Sequence, residues 1–270
     1  MNRVGAIGWP IEHSLSPAMH NAAFRALGMT DWQYDKLAIP PDVLGHSIKE
    51  LRNHEWVGIN VTVPHKEEML KYVVADPLAQ MVGAINTVDF RSNKGTNTDV
   101  VGFMDDLAAH DIEVKGEKVI VLGAGGAARA VVYGLAQAGA QVVVVNRSVE
   151  RAQGLSRTLL VPMTLMTLAD AAQWGASLIV NCTSAGMQPH VHVTPWDEAV
   201  PLPHGVTVYD TIYRPARTKL MMQVEAVGGR AISGAGMLVR QGAAAFKLWT
   251  GVEPPFEVMM EALLEGLKVS

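Results

Sequence analysis

The amino-acid sequence predicts an α/β protein built from two domains, and three observations lead to this prediction. Short runs of β-branched residues alternate with stretches of helical periodicity along the chain. A glycine-rich turn at 123–126 lies between an apolar run and a helical stretch, which is typical of a βαβ unit. The chain has 270 residues with 49% hydrophobic content, enough for one large domain or two medium ones.

The first hundred residues contain the elements of one α/β unit. Ser16 and Pro17 open the first helix, with the serine as N-cap and the proline in the first turn. A second helix is predicted over 41–54, and a third begins at Pro64. Predicted strands cover residues 4–9, 32–39, 58–63 and 84–90.

A second unit begins near Asp99 with a helix that runs to about His110. An apolar strand over 118–122, a helix that ends at Ala138 and a strand over 141–146 then form a βαβ unit. The predicted elements that follow are strands over 177–181, 207–210 and 230–232, and two helices from Met237 onward that are separated by Gly251 and Pro254-Pro255.

Composition excludes several classes of partner. The net charge is −4, so no basic excess indicates binding to nucleic acid or to an anionic membrane surface. The first residues lack the apolar segment of a signal peptide, and apolar runs such as 142–145 are far shorter than the roughly 20 residues that span a bilayer. Cys182, the one cysteine, has no internal disulfide partner, which fits a reducing cytosol. We therefore expect a cytoplasmic protein that binds small molecules.

The residues GAGGAA at 123–128 form a GxGxxA variant of the dinucleotide fingerprint. Gly123 makes the tight turn after the strand, Gly125 lets the backbone approach a pyrophosphate, and Ala128 lets helix and strand pack closely. The helix N-terminus offers unpaired N–H groups and the positive end of its dipole to phosphates. A purely structural glycine turn is the alternative, but the strand before it and the helix after it favour a cofactor site.

The end of the next strand indicates which cofactor binds. NAD-binding domains place Asp or Glu there, about 20 residues on, to bind the ribose 2′-hydroxyl. This chain has Asn146-Arg147-Ser148, followed by Arg151, and no acid at that position. Guanidinium groups suit the dianionic 2′-phosphate through charge and paired hydrogen bonds, which predicts NADP. The alternative is a solvated arginine pair at the start of a helix.

Two serines and a lysine indicate a polar site in the first domain. Ser14 and Ser16 lie beside a helix N-terminus, which suits a carboxylate, whereas ordinary N-capping would explain only one of them. Asn60 and Thr62 share one face of their strand by its period of two. Lys66 follows near the strand's carboxyl end, where α/β sites gather. Taken alone, Lys66 is better explained as a surface lysine.

Other candidate residues carry weaker signals. Asn86 lies in GAINT, Asp99 alone reads as an N-cap, and Gln241 lies on a helix entered through glycines. His190 and His192 could bind a metal ion, but no cysteine or carboxylate completes a tetrahedral set nearby. We therefore predict no metal site.

Taken together, nine blocks of the sequence resemble the shikimate dehydrogenase family. They follow that family's order from about residue 5 to 251, and several are specific to it rather than to dinucleotide-binding domains in general. The blocks are SLSPAMHN, GINVTVPHK, GAINT, NTDVVGF, LGAGGAARA, NRS, NCTSAGM, YDTIYRP and GAGMLVRQGAAAFKLWTG.

The resemblance implies two domains. Residues 1–98 with about 237–270 would form an α/β substrate domain, to which the C-terminal helices return. Residues 99–236 would form a Rossmann-type, doubly wound NADP-binding domain. The substrate-binding residues that the resemblance implies are Ser14, Ser16, Thr62 and Tyr213 for the carboxylate, and Asn60, Lys66, Asn86, Asp99 and Gln241 around the ring.

For the cofactor, the resemblance implies three groups of residues. Gly123, Ala124, Gly125, Gly126 and Ala127 would bind the pyrophosphate. Asn146, Arg147, Ser148 and Arg151 would surround the adenosine phosphate. Thr183, Ser184, Met187, Ile212, Gly234 and Met237 would line the nicotinamide side.

The expected activity is the reversible NADPH-dependent reduction of 3-dehydroshikimate to shikimate, in the pathway to chorismate and the aromatic amino acids. Lys66 is the best proton carrier, with Asp99 alongside, although it could instead act mainly as an electrostatic clamp. Three alternatives stay open: a quinate/shikimate dehydrogenase with relaxed substrate or cofactor choice, an amino-acid or methylene-folate dehydrogenase, and a non-catalytic NADP-binding regulatory protein. We expect a monomer or a homodimer.

Overall fold

A computed structural model of the chain describes residues 1–268. The strands are β1 (Asn2–Gly8), β2 (Trp32–Ala38), β3 (Gly58–Val61), β4 (Val74–Ala75), β5 (Thr87–Asp89), β6 (Lys94–Thr96), β7 (Lys118–Leu122), β8 (Gln141–Val145), β9 (Thr164–Leu165), β10 (Leu178–Asn181), β11 (Thr207–Asp210) and β12 (Arg230–Ser233). The α-helices are α1 (Ser16–Ala26), α2 (Leu44–Asn53), α3 (Pro77–Val82), α4 (Asp99–Ala109), α5 (Gly126–Gln137), α6 (Val149–Thr158), α7 (Leu168–Ala172), α8 (Lys219–Ala226), α9 (Ala235–Thr250) and α10 (Phe256–Lys268).

The chain divides into two compact units. Unit 1 comprises Met1–Gly102 and the segment that begins at Leu238, and unit 2 comprises Phe103–Met237. Each unit has its own six-stranded sheet. The predicted α/β class is confirmed.

The sheet of unit 1 has the order β2-β1-β3-β5-β6-β4. Strands β1, β2 and β3 are parallel, whereas β5 is antiparallel to both β3 and β6. Helix α9 is tied to this sheet by Trp249, whose Nε1 donates to the Val88 carbonyl at 2.9 Å. Gly58 is required there, because a Cβ atom would lie 2.2 Å from Trp249 Nε1.

The sheet of unit 2 is parallel throughout, with the order β12-β11-β10-β7-β8-β9. Successive residues of its strands face opposite sides: Val119 and Val121 join one buried cluster with α4 and α5, and Ile120 joins another with α8. Helices therefore cover both faces, as in a doubly wound fold. Strands β8 and β9 follow on one side of β7, whereas β10, β11 and β12 follow on its other side. The strand order therefore reverses between β7 and β10, and doubly wound folds bind dinucleotides at such a point.

Two local predictions are wrong. Ser16 is not the N-cap of α1 but its first residue, since the Ser14 hydroxyl accepts the Ser16 N–H at 3.3 Å. No α-helix begins at Pro64, because the following residues form a turn in which His65 N donates to the Thr62 carbonyl at 2.9 Å. A 3-10 turn over Glu68–Lys71 follows instead.

Candidate active site

A buried ion pair lies at the centre of the polar site in unit 1. Lys66 follows the turn after β3, and its Nζ donates to Asp99 Oδ2 at 2.5 Å. The two side chains are only 13% and 6% exposed, so solvent screens this pair little. Lys66 is therefore not a surface lysine.

Asp99 does not use its carboxylate to cap the helix that it begins. Its backbone N–H instead donates to Asn97 Oδ1 at 3.1 Å. The carboxylate is left to accept from Lys66 through Oδ2 and from Asn86 Nδ2 through Oδ1, the latter at 2.9 Å. Each carboxylate oxygen thus has its own donor, which fixes the plane of the group.

Asn86 joins two distant parts of the chain to this pair. Its Nδ2 also lies 3.3 Å from Gln241 Oε1, on helix α9, while its Oδ1 accepts from Thr98 N at 2.7 Å. Gln241 is held in turn by the Leu238 carbonyl, 2.8 Å from its Nε2. The predicted residues Lys66, Asn86, Asp99 and Gln241 therefore lie together, and we call them the Lys66 cluster.

Asn60 supports this cluster from the sheet. Its Oδ1 accepts from the Tyr34 hydroxyl at 2.7 Å, and its Nδ2 donates to Thr87 Oγ1 at 3.0 Å. Tyr34 and Thr87 are almost fully buried, and with Thr98 they were missed by the sequence reasoning. Thr87 follows Asn86 in GAINT, and Thr98 precedes Asp99 in NTDVVGF, so both could have been found as neighbours of predicted residues. No motif in the sequence indicates Tyr34.

The start of helix α1 carries the two predicted serines. Ser16 is buried, and the first turn of α1 contains no acidic residue and no side-chain cap at Leu15. Thr62 lies just beyond β3 and packs on the end of β1, where its Cγ2 would be 2.6 Å from a Cβ on Gly8. The helix N-terminus and the hydroxyls form a setting that suits an anion.

The turn after β7 has the geometry that a pyrophosphate requires. Gly123 has φ +111°, and a Cβ atom there would lie 3.1 Å from the Cys182 carbonyl oxygen. Gly125 precedes α5 without a capping side chain, and a Cβ atom there would meet nothing within 4 Å. We call residues 123–127 the glycine turn. It borders open space beside the N-terminus of α5, which no side chain caps, so it fits a bound dinucleotide.

The segment after β8 fits a 2′-phosphate. Asn146 Nδ2 donates to the Ser148 carbonyl at 2.7 Å, and Ser148 Oγ caps α6 by accepting from Arg151 N at 3.3 Å. Arg147 and Arg151 are exposed, and neither forms an ion pair within residues 1–268. The Glu150 carboxylate accepts a hydrogen bond from Ser148 Oγ at 2.8 Å. Hydrogen bonds from the Glu150 backbone N–H and from this hydroxyl lower the pKa of Glu150.

The remaining predicted residues lie after β10, β11 and β12 of unit 2. Met187 is 45% exposed, whereas Ile212 and Met237 are buried, and Met237 packs in the cluster that contains Phe103. The other predicted residues in these loops are Thr183, Ser184, Tyr213 and Gly234. In parallel sheets, this carboxyl edge is where ligands bind.

Two absences hold for residues 1–268. No group of three or more His, Cys, Asp or Glu side chains is arranged to hold a metal ion. No helix in this part of the chain combines the length and apolar character needed to cross a bilayer.

Three family models match the chain. The model described as the shikimate dehydrogenase substrate binding domain matches residues 6–88. The model described as shikimate / quinate 5-dehydrogenase matches residues 106–195. The model described as the shikimate 5′-dehydrogenase C-terminal domain matches residues 234–264.

Curated relatives and solved structures are similar over nearly the whole chain. Shikimate dehydrogenase (NADP(+)) of Methanosarcina acetivorans is 43% identical, with 99% of this chain and 100% of the relative covered. A crystal structure of a shikimate dehydrogenase in complex with NADP+ has a TM-score of 0.91 at 38% identity, covering 99% of this chain and 96% of the other. The Thermus thermophilus enzyme in complex with NADP(H) and shikimate has a TM-score of 0.89 at 37% identity, covering 99% of this chain and 100% of the other.

Proposed function

The chain belongs to the shikimate dehydrogenase family, and we propose that it reduces 3-dehydroshikimate reversibly to shikimate with NADPH, in the pathway to the aromatic amino acids. The observation that carries this function is the buried Lys66–Asp99 pair, held by Asn86 and Gln241. The enzyme class and the NADP dependence predicted from the sequence agree with the curated relatives.

Lys66 is the proton donor in the reductive direction. An ammonium group has three N–H donors, and Asp99 accepts one of them, which leaves two for the substrate oxygen. As negative charge develops on that oxygen, Lys66 Nζ stabilises it and supplies the proton of the product hydroxyl. Bound NADPH would supply the hydride.

Asp99 and Asn86 keep Lys66 in this role. Asp99 balances the ammonium charge, so the buried pair is neutral overall and accepts an uncharged carbinol or ketone without a further counter-ion. Asn86 orients Asp99 by donating to Oδ1, the carboxylate oxygen that Lys66 does not contact. The amide of Gln241 offers hydrogen bonds to the neighbouring ring hydroxyls.

The substrate carboxylate is bound at the start of α1. The hydroxyls of Ser14 and Ser16 and the N–H groups of the first helical turn are donors, and that end of the helix carries partial positive charge. Thr62, at the end of β3, adds a third hydroxyl.

The cofactor is held by unit 2. The N–H groups at the start of α5 would bind the pyrophosphate, and Arg147 and Arg151 would bind the 2′-phosphate. Within residues 1–268 neither guanidinium group forms an ion pair, so binding a phosphate would break none of the pairs described there.

A spectrophotometric assay of NADP reduction tests this function. We expect reduction with shikimate and none without substrate. Equal turnover of quinate, or of NAD in place of NADP, would favour the relaxed quinate/shikimate dehydrogenase. NADP binding without any turnover of shikimate would favour the non-catalytic regulatory protein.

The assignment of substrate binding to residues 1–98 with about 237–270, and of NADP binding to 99–236, is part of this proposal. The two compact units, which divide at Gly102 and Met237, support it. A cytoplasmic location is supported by the single cysteine. We further propose a monomer or a homodimer, which light scattering of the purified protein would distinguish.

A further inference from the structure

Two buried polar side chains end neighbouring strands of unit 2. Asn181 is the last residue of β10 and Asp210 the last residue of β11, and the two are paired in the sheet register. Both are fully buried, and Asn181 Nδ2 donates to Asp210 Oδ1 at 2.9 Å. The functional assignments above include neither residue, although both lie at the edge of the sheet where ligands bind.

Asn181 controls the loop that follows β10. Its Oδ1 accepts from both the backbone N–H and the hydroxyl of Thr183, at 2.9 and 2.8 Å. The Thr183 hydroxyl in turn accepts from Ala185 N at 3.2 Å. The position of this loop therefore depends on the orientation of one amide group.

Asp210 controls the loop that follows β11 and links it to a third segment. Its Oδ1 accepts from Ile212 N at 3.1 Å, and its Oδ2 accepts from Thr218 Oγ1 at 2.6 Å. Thr218 is the N-cap of α8 and packs on Gly186, where an added Cβ would lie 3.4 Å from the Thr218 Cβ. Both loops therefore converge on Asp210.

Three donors that meet on one buried group require an acceptor-only side chain, which is what a carboxylate provides. Burial raises the pKa of Asp210 to about 6, opposed by the hydrogen bonds from Thr218, Ile212 and Asn181. Within residues 1–268 no cation forms an ion pair with Asp210, and two cations near it in sequence pair elsewhere, Lys219 of α8 with Glu198 and Arg217 with Glu225. A buried carboxylate without a counter-ion destabilises the fold, so a purely structural role does not account for it.

We infer that Asp210 is a positioning residue that, through Asn181 and Thr218, holds the loops carrying Thr183, Met187 and Ile212 in the arrangement that binds the nicotinamide half of NADP. This inference rests on the proposed function, because that function assigns the three loop residues to the nicotinamide. The adenosine half binds elsewhere in unit 2, at 146–151, and does not depend on Asp210.

Calorimetry with two ligands tests the inference. Asp210→Asn removes one acceptor site, so we expect the Kd for NADP to rise about tenfold, as for the loss of one hydrogen bond to a charged group. The Kd for adenosine 2′,5′-bisphosphate, which lacks the nicotinamide, should change less than about twofold. Asp170→Asn, an exposed acid of unit 2, is the matched control and should change neither value.

A milder pair of variants decides the question if Asp210→Asn does not fold. Thr218→Val removes the hydroxyl that donates to Asp210 with little change of shape, and Thr218→Ser retains it. We expect weaker NADP binding with valine and near-normal binding with serine. Equal losses for NADP and the bisphosphate, or no loss for either, would overturn the inference. Wild-type turnover of shikimate is measured separately and tests the proposed function alone.

Discussion

The Lys66 cluster of unit 1 and the glycine turn of unit 2, which we propose bind the substrate ring and the pyrophosphate, are built in different ways. In the cluster, four side chains that are mostly buried are connected to one another by hydrogen bonds. In the turn, the donors are backbone N–H groups beside open space, and the nearby arginines are exposed and unpaired within the described residues. Neutral hydroxyls are recognised by hydrogen-bonding partners with a fixed orientation, whereas phosphates are recognised through charge and a helix N-terminus.

This difference predicts different kinetic consequences. A change in the cluster should mainly affect the chemical step, because in the proposed mechanism its groups act on the reacting atoms. A change around the adenosine site should mainly affect affinity.

Lys66→Ala is expected to have the largest effect. If Lys66 stabilises the developing alkoxide and supplies the proton, its contribution is made in the transition state. We expect kcat to fall about 10²–10⁴-fold with little change in KM, the range for general acid–base groups.

The matched control for Lys66 is Lys71→Ala, since Lys71 lies in the next turn, is 68% exposed and pairs with Glu68, a surface residue outside the Lys66 cluster. It should leave both constants unchanged. Circular dichroism and retained NADP binding would establish that the Lys66 variant folds. A folded variant with near-normal kcat would remove Lys66 from the catalytic residues and leave Asp99 as the candidate.

The combined change Ser14→Ala and Ser16→Ala tests the substrate side of unit 1 outside the cluster. Each lost hydrogen bond to a carboxylate is worth about 1.5–3 kcal/mol, so KM for shikimate should rise about tenfold or more. NADP affinity should not change. Ser47→Ala on helix α2 is the control, and calorimetry that showed equal losses for both ligands would place the carboxylate elsewhere.

Arg147→Asp tests the cofactor side. It removes a phosphate partner and adds repulsion, so kcat/KM for NADP should fall about tenfold relative to that for NAD. Arg157→Asp makes the same change of charge in the last turn of α6 and should leave the ratio unaltered. An unchanged ratio for Arg147→Asp would contradict the 2′-phosphate assignment.

The two regions also differ in how much of them could be predicted from the sequence. The glycine turn is local: strand, glycines and helix are contiguous, so spacing alone predicts its conformation. The Lys66 cluster depends on a hydrogen bond between Asn86 and Gln241, which are 155 positions apart. Taken alone, the residue patterns predict Asp99 as an N-cap and Lys66 as a surface residue. Only the family resemblance predicts that the two lie in one site.

The sequence also did not predict residues that act through contacts with other residues of the site, because those contacts join separate parts of the chain. Tyr34 and Asp210 lie within ordinary strand patterns, and their roles depend on tertiary hydrogen bonds to Asn60 and Thr218. Short elements such as β4 and β9 were missed because two residues carry no periodicity. The residue type of Ser16 fits an N-cap, but Ser16 is the first residue of α1 and its N–H donates to the Ser14 hydroxyl.

The smallest predicted effect concerns pH, for which each unit contains one buried group with a shifted pKa. In unit 1, burial lowers the pKa of His20 to about 3. Its ring stacks on Tyr34 with centroids 4.2 Å apart, and neither ring nitrogen has a hydrogen-bond partner within the described residues. In unit 2, burial raises the pKa of Asp210 to about 6.

The signs of these two contributions are opposite. The unfolded chain binds a proton at His20 below about pH 6.5 while the folded protein does not, so this contribution to stability is lost as pH falls from 6.5 towards 3. The folded protein holds a proton at Asp210 below about pH 6, so the contribution of Asp210 to stability decreases as pH rises from 4 to 6. Wild type and His20→Leu both contain Asp210, so its pH-dependent contribution to the free energy of unfolding cancels when the two proteins are compared.

Urea unfolding at pH 7 and pH 5.5 measures the difference. Wild type should lose about 1 kcal/mol more stability than His20→Leu over this interval, since one proton taken up only by the unfolded chain changes the free energy of unfolding by at most about 1.4 kcal/mol per pH unit. The comparison uses the change between the two pH values, so a constant loss of packing in the leucine variant does not affect it. If the two proteins lost the same stability, His20 would not be held neutral in the folded state, and the aromatic stack around it would have to admit a charged ring.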